Sequence, residues 1–301
     1  MMKNLSLKQK ILLSVVIALS LVILLLSWQS YSSQKSLLLQ GSQEQLQRLG
    51  TQQAERVSDW LAARRDVIQA LGNKAGADPL NALQQAQVSG RFQLTYFGES
   101  SGKMNDSDPS INRDGYDPRS RGWYQEAMSK GGLIVTKPYL DVAYNIMVVT
   151  LAQPVSGGVV GGDLSIASLV EDVTKMQLPA DGFAIMMHKD GTIIAYKDAA
   201  KAMKPASEID NDLTNALIEQ SKSSKELVPA YFDNEGRDKL LWAADIPDTD
   251  WELVLVLDKA ALEAPLSSLL MTQLGMALLV LVGSILAISW LVSMLLGPLT
   301  K

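Results

Sequence analysis

Two long charge-free stretches, one near each end, bracket this chain and limit what it can become. Residues 11–34 contain no Asp, Glu, Lys or Arg, and Ile11 to Trp28 is almost wholly aliphatic. Residues 264–300 also lack charge, with an apolar core near Leu274 to Leu296. A helix needs about 20 apolar residues to cross the hydrocarbon layer of a bilayer, so each stretch is long enough to cross once. Lys3, Lys8 and Lys10 precede the first stretch, which places the N-terminus in the cytoplasm. Trp28 and Tyr31 suit the far interface, and Trp290 suits the cytoplasmic end of the second stretch. A cleaved signal peptide is the alternative for the first stretch. Its long apolar core, with no small-residue cleavage site after it, argues against that. Two crossings leave residues from about 35 to 270 outside the cytoplasm. The chain then stops at Gly297-Pro-Leu-Thr-Lys301, and the expectation is a fragment of a longer protein, the alternative being an output that lies in a partner.

Composition excludes several classes of chemistry. The 301 residues suffice for one or two folded units and include no cysteine, so disulfides and thiolate metal sites are ruled out. The single histidine, His188, argues against a histidine metal centre or a Ser-His-Asp triad. A net charge of −5 without a basic stripe argues against nucleic-acid binding. No cofactor and no metal are expected, and no nucleophile–base pair points to an enzyme.

Between the two stretches the pattern changes twice. Residues 32–73 read as one long helix. Leu39, Leu46, Leu49, Val57, Trp60, Leu61, Val67, Ile68 and Leu71 recur at spacings near three, four and seven, although Gly41 and Gly50 weaken it locally. At 1.5 Å per residue it reaches about 60 Å. It either packs on its own domain or forms a dimer seam, and both hold if different faces are used. Beyond Gly90 short strands and glycine turns take over. Asn145–Ala152 leads through Pro154 to a turn, Val159-Val160 and Asp163. Lys239–Ile246 leads through Pro247 to a turn, Trp251–Leu257 and Asp258. Each is a hairpin ending in an aspartate, so two related modules in tandem are inferred. The fold class is α/β (α+β): a long N-terminal helix plus two modules with antiparallel sheets. A short helix after Asp258 is expected before the second apolar stretch. The boundaries are 1–10, 11–31 and 32–73, then 74–180 and 181–260 for the modules, then 272–296 and 297–301.

The cluster Tyr116-Asp-Pro-Arg-Ser-Arg121-Gly-Trp123-Tyr124 stands in the first module only. Tyr139 and Asp141 follow on the run Ile134 to Asp141, where a strand would put both on one face. Asp163 closes the later hairpin. A purely structural motif would appear in both modules, and this one does not. One forked cation and two anions complement a free α-amino acid. Arg121 and the Trp123 N–H suit its carboxylate, while Asp163, Asp141 and tyrosine hydroxyls suit its ammonium. Taken singly, each residue has a plainer reading. Arg121 could pair with Asp117, Asp114 or Glu126, and Arg119 with solvent or a neighbouring carboxylate. Trp123 and Tyr124 could be core aromatics, and Tyr139 and Asp141 strand-end residues. Asp163 could cap a helix near Ser165 to Leu169, and His188 could be a turn residue.

This layout and the set Tyr116, Arg121, Trp123, Tyr124, Tyr139, Asp141 and Asp163 resemble the double Cache (dCache) sensor regions of bacterial methyl-accepting chemotaxis receptors of the amino-acid-binding type. The resemblance spans residues from about 35 to 260. It implies a membrane-distal module, 74–180, that binds a free L-amino acid, with Arg121 and Trp123 on the carboxylate. Asp163, Asp141, Tyr124 and Tyr139 would hold the ammonium, and Tyr116 would complete the pocket. Phe92, Leu94, Tyr96, Met147 and Val149 are suggested for the side-chain end. The resemblance further implies a homodimer in the bacterial inner membrane, crossing twice with its sensor in the periplasm. It would signal to a chemotaxis kinase and adaptor. Pro298-Leu299 suits entry into a HAMP-type relay helix. The same sensor could front a histidine kinase or a diguanylate cyclase, or take amines, taurine-like compounds or carboxylates. A membrane-anchored enzyme is the third rival.

Overall fold

The structure is a computed structural model that describes residues 7–74, 79–141 and 143–296. The extreme N-terminus with Lys3, and the expected relay entry at Pro298-Leu299, lie outside the described residues. The chain falls into two compact units: residues up to Ser42 with those from Lys259 onward, and Gln43–Asp258.

The first unit holds the apolar stretches. Helix α1 (Leu7–Gly72) runs 66 residues without a break. Helix α6 (Lys259–Leu296) is a single helix, not the expected short helix followed by a separate one. Pro265 lies inside it, but Ala260, Ala261, Leu262 and Leu266 are strong helix formers on both sides, and one proline does not end the run. Both helices are long and apolar enough to cross a membrane, and their apolar stretches are not buried inside the protein. Within this unit Lys35 pairs with Glu263 at 3.0 Å, and the Gln273 amide donates to Ser30 Oγ at 2.9 Å.

In the second unit α1 presents a buried stripe of Leu46, Ala54, Val57, Leu61, Ile68 and Leu71, each at most 3% exposed. Leu49, Trp60 and Val67 are only half-buried. Gly50 does not interrupt the helix, and packing explains its presence. A Cβ there would lie 2.0 Å from the Trp242 ring, so only glycine lets that indole approach.

Two antiparallel sheets follow. The first contains β1 (Leu94–Glu99), β2 (Met104–Asp106), β3 (Ile134–Val135), β4 (Tyr139–Leu140), β5 (Met147–Val155) and β6 (Gly158–Ser165). Its order is β2-β1-β6-β5-β3, with β4 also on β5. Helices α2 (Pro79–Gly90), α3 (Gly122–Lys130) and α4 (Ala167–Thr174) belong with it in sequence. The second sheet contains β7 (Phe183–His188), β8 (Ile193–Ala195), β9 (Val228–Phe232), β10 (Arg237–Asp245) and β11 (Trp251–Asp258), in the order β8-β7-β11-β10-β9, with α5 (Asn215–Ser223). The orders superimpose strand for strand, so β6 and β11 hold the same central place. The hairpin similarity read in the sequence is therefore a similarity of topology.

The run Ile134 to Asp141 is not one strand. It breaks into β3 and β4 around Lys137-Pro138, and Asp141 lies just past β4. Proline cannot donate to the ladder, which accounts for the break. Tyr139 and Asp141 therefore do not share a strand face.

Candidate ligand-binding site

The first sheet walls a cavity of about 570 Å³. Tyr116, Arg121, Trp123, Tyr139, Asp141 and Asp163 all line it. Tyr124, the seventh residue singled out, does not. It is 7% exposed in the core beside Trp123, with ring centroids 5.6 Å apart.

Asp163 sits on β6, in register with Thr150 of β5 and Leu94 of β1. It is 2% exposed. Its Oδ1 accepts from Tyr96 OH at 2.7 Å, Thr150 Oγ1 at 2.5 Å and Tyr139 OH at 3.4 Å. Burial pushes its carboxyl up to about 7, against the pull of those hydroxyls and with the help of the Asp141 charge. Burial also raises the Tyr96 and Tyr139 phenols, with the Asp163 charge adding to both. Asp163 does not cap a helix: α4 begins after Ile166, with no side-chain cap. Asp258, at the equivalent end of β11, is equally buried but meets cations instead. Arg237 Nη1 lies 3.1 Å and Lys239 Nζ 3.3 Å from its Oδ2. The second module neutralises its buried aspartate internally. The first surrounds Asp163 with neutral hydroxyls and turns it toward a cavity.

Two chemically alike arginines have different surroundings. Arg119 takes Asp117, with Nε–Oδ1 at 3.0 Å and Nη2–Oδ2 at 2.7 Å, and holds its carboxyl below the usual range. Arg121 has no carboxylate within 4 Å among the described residues. Its Cζ lies 4.3 Å from the Tyr116 ring centroid, and its Nε is buried without a hydrogen-bond partner. Tyr116 also carries Arg113 at 4.6 Å, and Arg113 forms a forked pair with Asp106 at 2.7 and 2.9 Å. Burial raises the Tyr116 hydroxyl, opposed by the Trp123 indole and the two guanidiniums. Local structure aims Arg121: its extended backbone is the N-cap of α3, following the Pro118–Ser120 turn that Asp117 caps. Trp123, the second residue of α3, tilts against Tyr96 at 4.8 Å.

Asp141 is 8% exposed, and its Oδ2 accepts from the Tyr144 N–H at 2.7 Å. Asn145 at φ +53° completes this turn, and its N–H donates to Asp141 O at 2.9 Å. Asparagine is among the few side chains that tolerate that conformation.

Of the five residues suggested for the side-chain end, only Tyr96 lines the cavity. Leu94 belongs to the first sheet's core, and Val149, buried, alternates with the site-facing Thr150. Thr150 escaped the sequence reading, although one hydroxyl in the aliphatic run Met147–Ala152 was a usable signal. His188 and Asp250 of the second module also line the cavity, and nothing local in the sequence marks that. Among the described residues no group of three His, Cys, Asp or Glu is placed to hold a metal.

A carboxylate beside hydroxyls and an uncommitted guanidinium in one half-apolar cavity can hold both ends of a zwitterion. The chain is similar to several known proteins. The methyl-accepting chemotaxis protein PscA of Pseudomonas syringae pv. tomato is 29% identical over 318 aligned positions, covering 99% of this chain and 48% of PscA. PctB of Pseudomonas aeruginosa, also a methyl-accepting chemotaxis protein, is 28% identical, covering 100% and 48%. The chain thus spans about half the length of these curated relatives. Among solved structures, the ligand-binding domain of the P. aeruginosa amino acid chemoreceptor PctB in complex with L-Gln matches at TM-score 0.61 and 28% identity, covering 78% of this chain and 98% of that one. The ligand-binding domain of the Pseudomonas fluorescens chemoreceptor CtaA in complex with L-alanine matches at TM-score 0.60 and 26% identity, covering 72% and 97%. A family model described as Cache domain (dCache_1) matches residues 30–266, most of the chain. The chain belongs to the dCache_1 family of Cache domains.

Proposed function

We propose that this chain is the sensor part of a methyl-accepting chemotaxis receptor and that its first module, residues 74–180, binds a free L-amino acid. The observation that carries this is the difference between Asp163 and Asp258. Buried aspartates near the same end of the matching strands β6 and β11 meet hydroxyls in one module and Lys239 with Arg237 in the other. A ligand ammonium takes at Asp163 the place that Lys239 takes at Asp258. Arg121, free of carboxylates among the described residues, takes the ligand carboxylate in a forked pair with the Trp123 N–H beside it. Asp141 and the Tyr139 hydroxyl complete the ammonium's shell. Tyr116 braces the guanidinium through its ring, and Tyr124 acts behind Trp123 as a positioning residue.

An amine alone would leave Arg121 uncompensated, and a simple carboxylate would leave the acids so. In this reading 181–260 is the second Cache module and 11–31 and 272–296 are membrane spans. The receptor is a homodimer in the bacterial inner membrane with its sensor in the periplasm. It is not an enzyme, and it works through a chemotaxis kinase and adaptor. A histidine kinase or diguanylate cyclase output would use the same sensor.

A thermal-shift screen of the full chain in detergent against the common amino acids tests the ligand class. A ligand at 100 times its Kd stabilises by about 2.7 kcal/mol, so at least one amino acid raises Tm by several degrees. No shift with any amino acid contradicts the reading.

A further inference from the structure

The cavity does not stop at the first module. His188, at the end of β7, and Asp250, at the tip of the β10–β11 hairpin, form part of its wall. Lys137, between β3 and β4, pairs with Asp190 in the turn after β7. The same Asp190 accepts at Oδ1 near His188 Nδ1, 2.9 Å away. The Lys189 N–H donates to Asp250 O at 2.9 Å and ties the two second-module turns together. These turns are fixed to each other and to the first module at the cavity's edge.

The charges along the wall do not balance for a simple zwitterion. Three lining cations are Arg113, Lys137 and Arg121. Arg113 is neutralised by Asp106 and Lys137 by Asp190, neither of which lines the cavity. Arg121 alone is left. Against it stand four lining carboxylates, Glu126, Asp141, Asp163 and Asp250, none paired with Lys, Arg or His among the described residues. An α-amino acid uses Arg121 for its carboxylate and Asp163 with Asp141 for its ammonium. Glu126 and Asp250 remain. They belong to different modules, and the cavity, at about 570 Å³, is roomy for a small amino acid.

We propose that the site prefers an amino acid with a long, cationic side chain, whose head group reaches the Glu126 and Asp250 carboxylates and so touches the second module. This rests on the amino-acid reading of the same cavity. It makes Glu126 and Asp250 specificity-determining residues. It also gives such a ligand a direct contact with the second module, which a small amino acid lacks.

Calorimetry on the full chain in detergent, with L-arginine and L-alanine as probes, tests it. Wild type binds L-arginine the more tightly, and the preference shrinks as salt is raised, because both carboxylates are exposed. In the double variant Glu126→Gln/Asp250→Asn the arginine-over-alanine preference falls by about tenfold, the scale of two modest charge contacts. The substituted side chains are exposed, and an unchanged Tm checks that the fold survives. A wild type that binds L-alanine as tightly as L-arginine, or a double variant that keeps the full preference, overturns the inference while leaving the amino-acid site intact. A wild type that binds no amino acid at all overturns the functional reading itself, and the inference with it.

Discussion

Arg119 and Arg121 lie two residues apart and carry the same group, yet their neighbours give them different work. Asp117 occupies the first and none of the described carboxylates occupies the second. That division was not legible in sequence, where Asp117 lies within four residues of both arginines. The forked cation, the indole and the hairpin-end acid were legible, because each is an unusual residue type at its place. The hydroxyl shell was less so: Tyr96 and Thr150 look like ordinary strand residues until the register sets them beside Asp163. The state of Asp163 gives a prediction with a definite sign. Its folded value, about 7, lies above the ordinary 3.8, so the fold holds the proton more tightly than the unfolded chain. Its contribution favours the fold most below about pH 4, declines as pH rises toward 7, and is flat above that. Asp163→Asn keeps the neutral form at every pH. It should stabilise the ligand-free protein at pH 8, on the order of 2–4 kcal/mol, and by only about a third of that at pH 5. It should also abolish amino-acid binding at both. For wild type, affinity should fall below pH 7 by up to about tenfold per pH unit, because the ammonium needs the carboxylate. Melting and titration series at several pH values check both. An Asn variant less stable than wild type at pH 8 would contradict the assignment.

The strand β6 does most to assemble the site. It lies between β1 and β5, so its outward residues meet side chains from both. Gly161 faces Tyr96 across the ladder, and a Cβ there would lie 2.4 Å from that ring. Glycine at this place lets the Tyr96 ring lie over the strand and reach Asp163, two residues on. Gly161→Ala should therefore displace Tyr96, cost about 1–3 kcal/mol by overpacking, and weaken ligand binding by loosening the hydroxyl shell. Denaturant melts and calorimetry on the same variant check it, and unchanged values in both would remove the role given to Tyr96. At this scale the sequence was readable where one period dominated. The long helix and both closing hairpins followed their apolar spacing. The stretch from Ile134 to Asp141 did not, because Pro138 divides an otherwise strand-like run and the pieces pair with different parts of β5. Helix α6 went the other way, since a lone proline among strong helix formers left the helix whole.

At the scale of the molecule the chain consists of two apolar helices and two sheets of one topology, and only one module departs from a closed structural plan. The tandem arrangement was legible because both hairpins end in an aspartate. The part that the second module plays in the cavity was not, because His188 and Asp250 come to it through tertiary packing of turns far apart in sequence. Arg121 is the proposed carboxylate anchor. Its substitution should remove binding without harming the fold, since no described ion pair holds it. Losing a charged partner in a desolvated site costs roughly 2–5 kcal/mol of binding. The most direct measurement is calorimetry of an amino acid that binds wild type, repeated on Arg121→Ala with Tm recorded for each. The account predicts loss of at least about thirtyfold in affinity at an unchanged Tm. Wild-type affinity in the variant would contradict it.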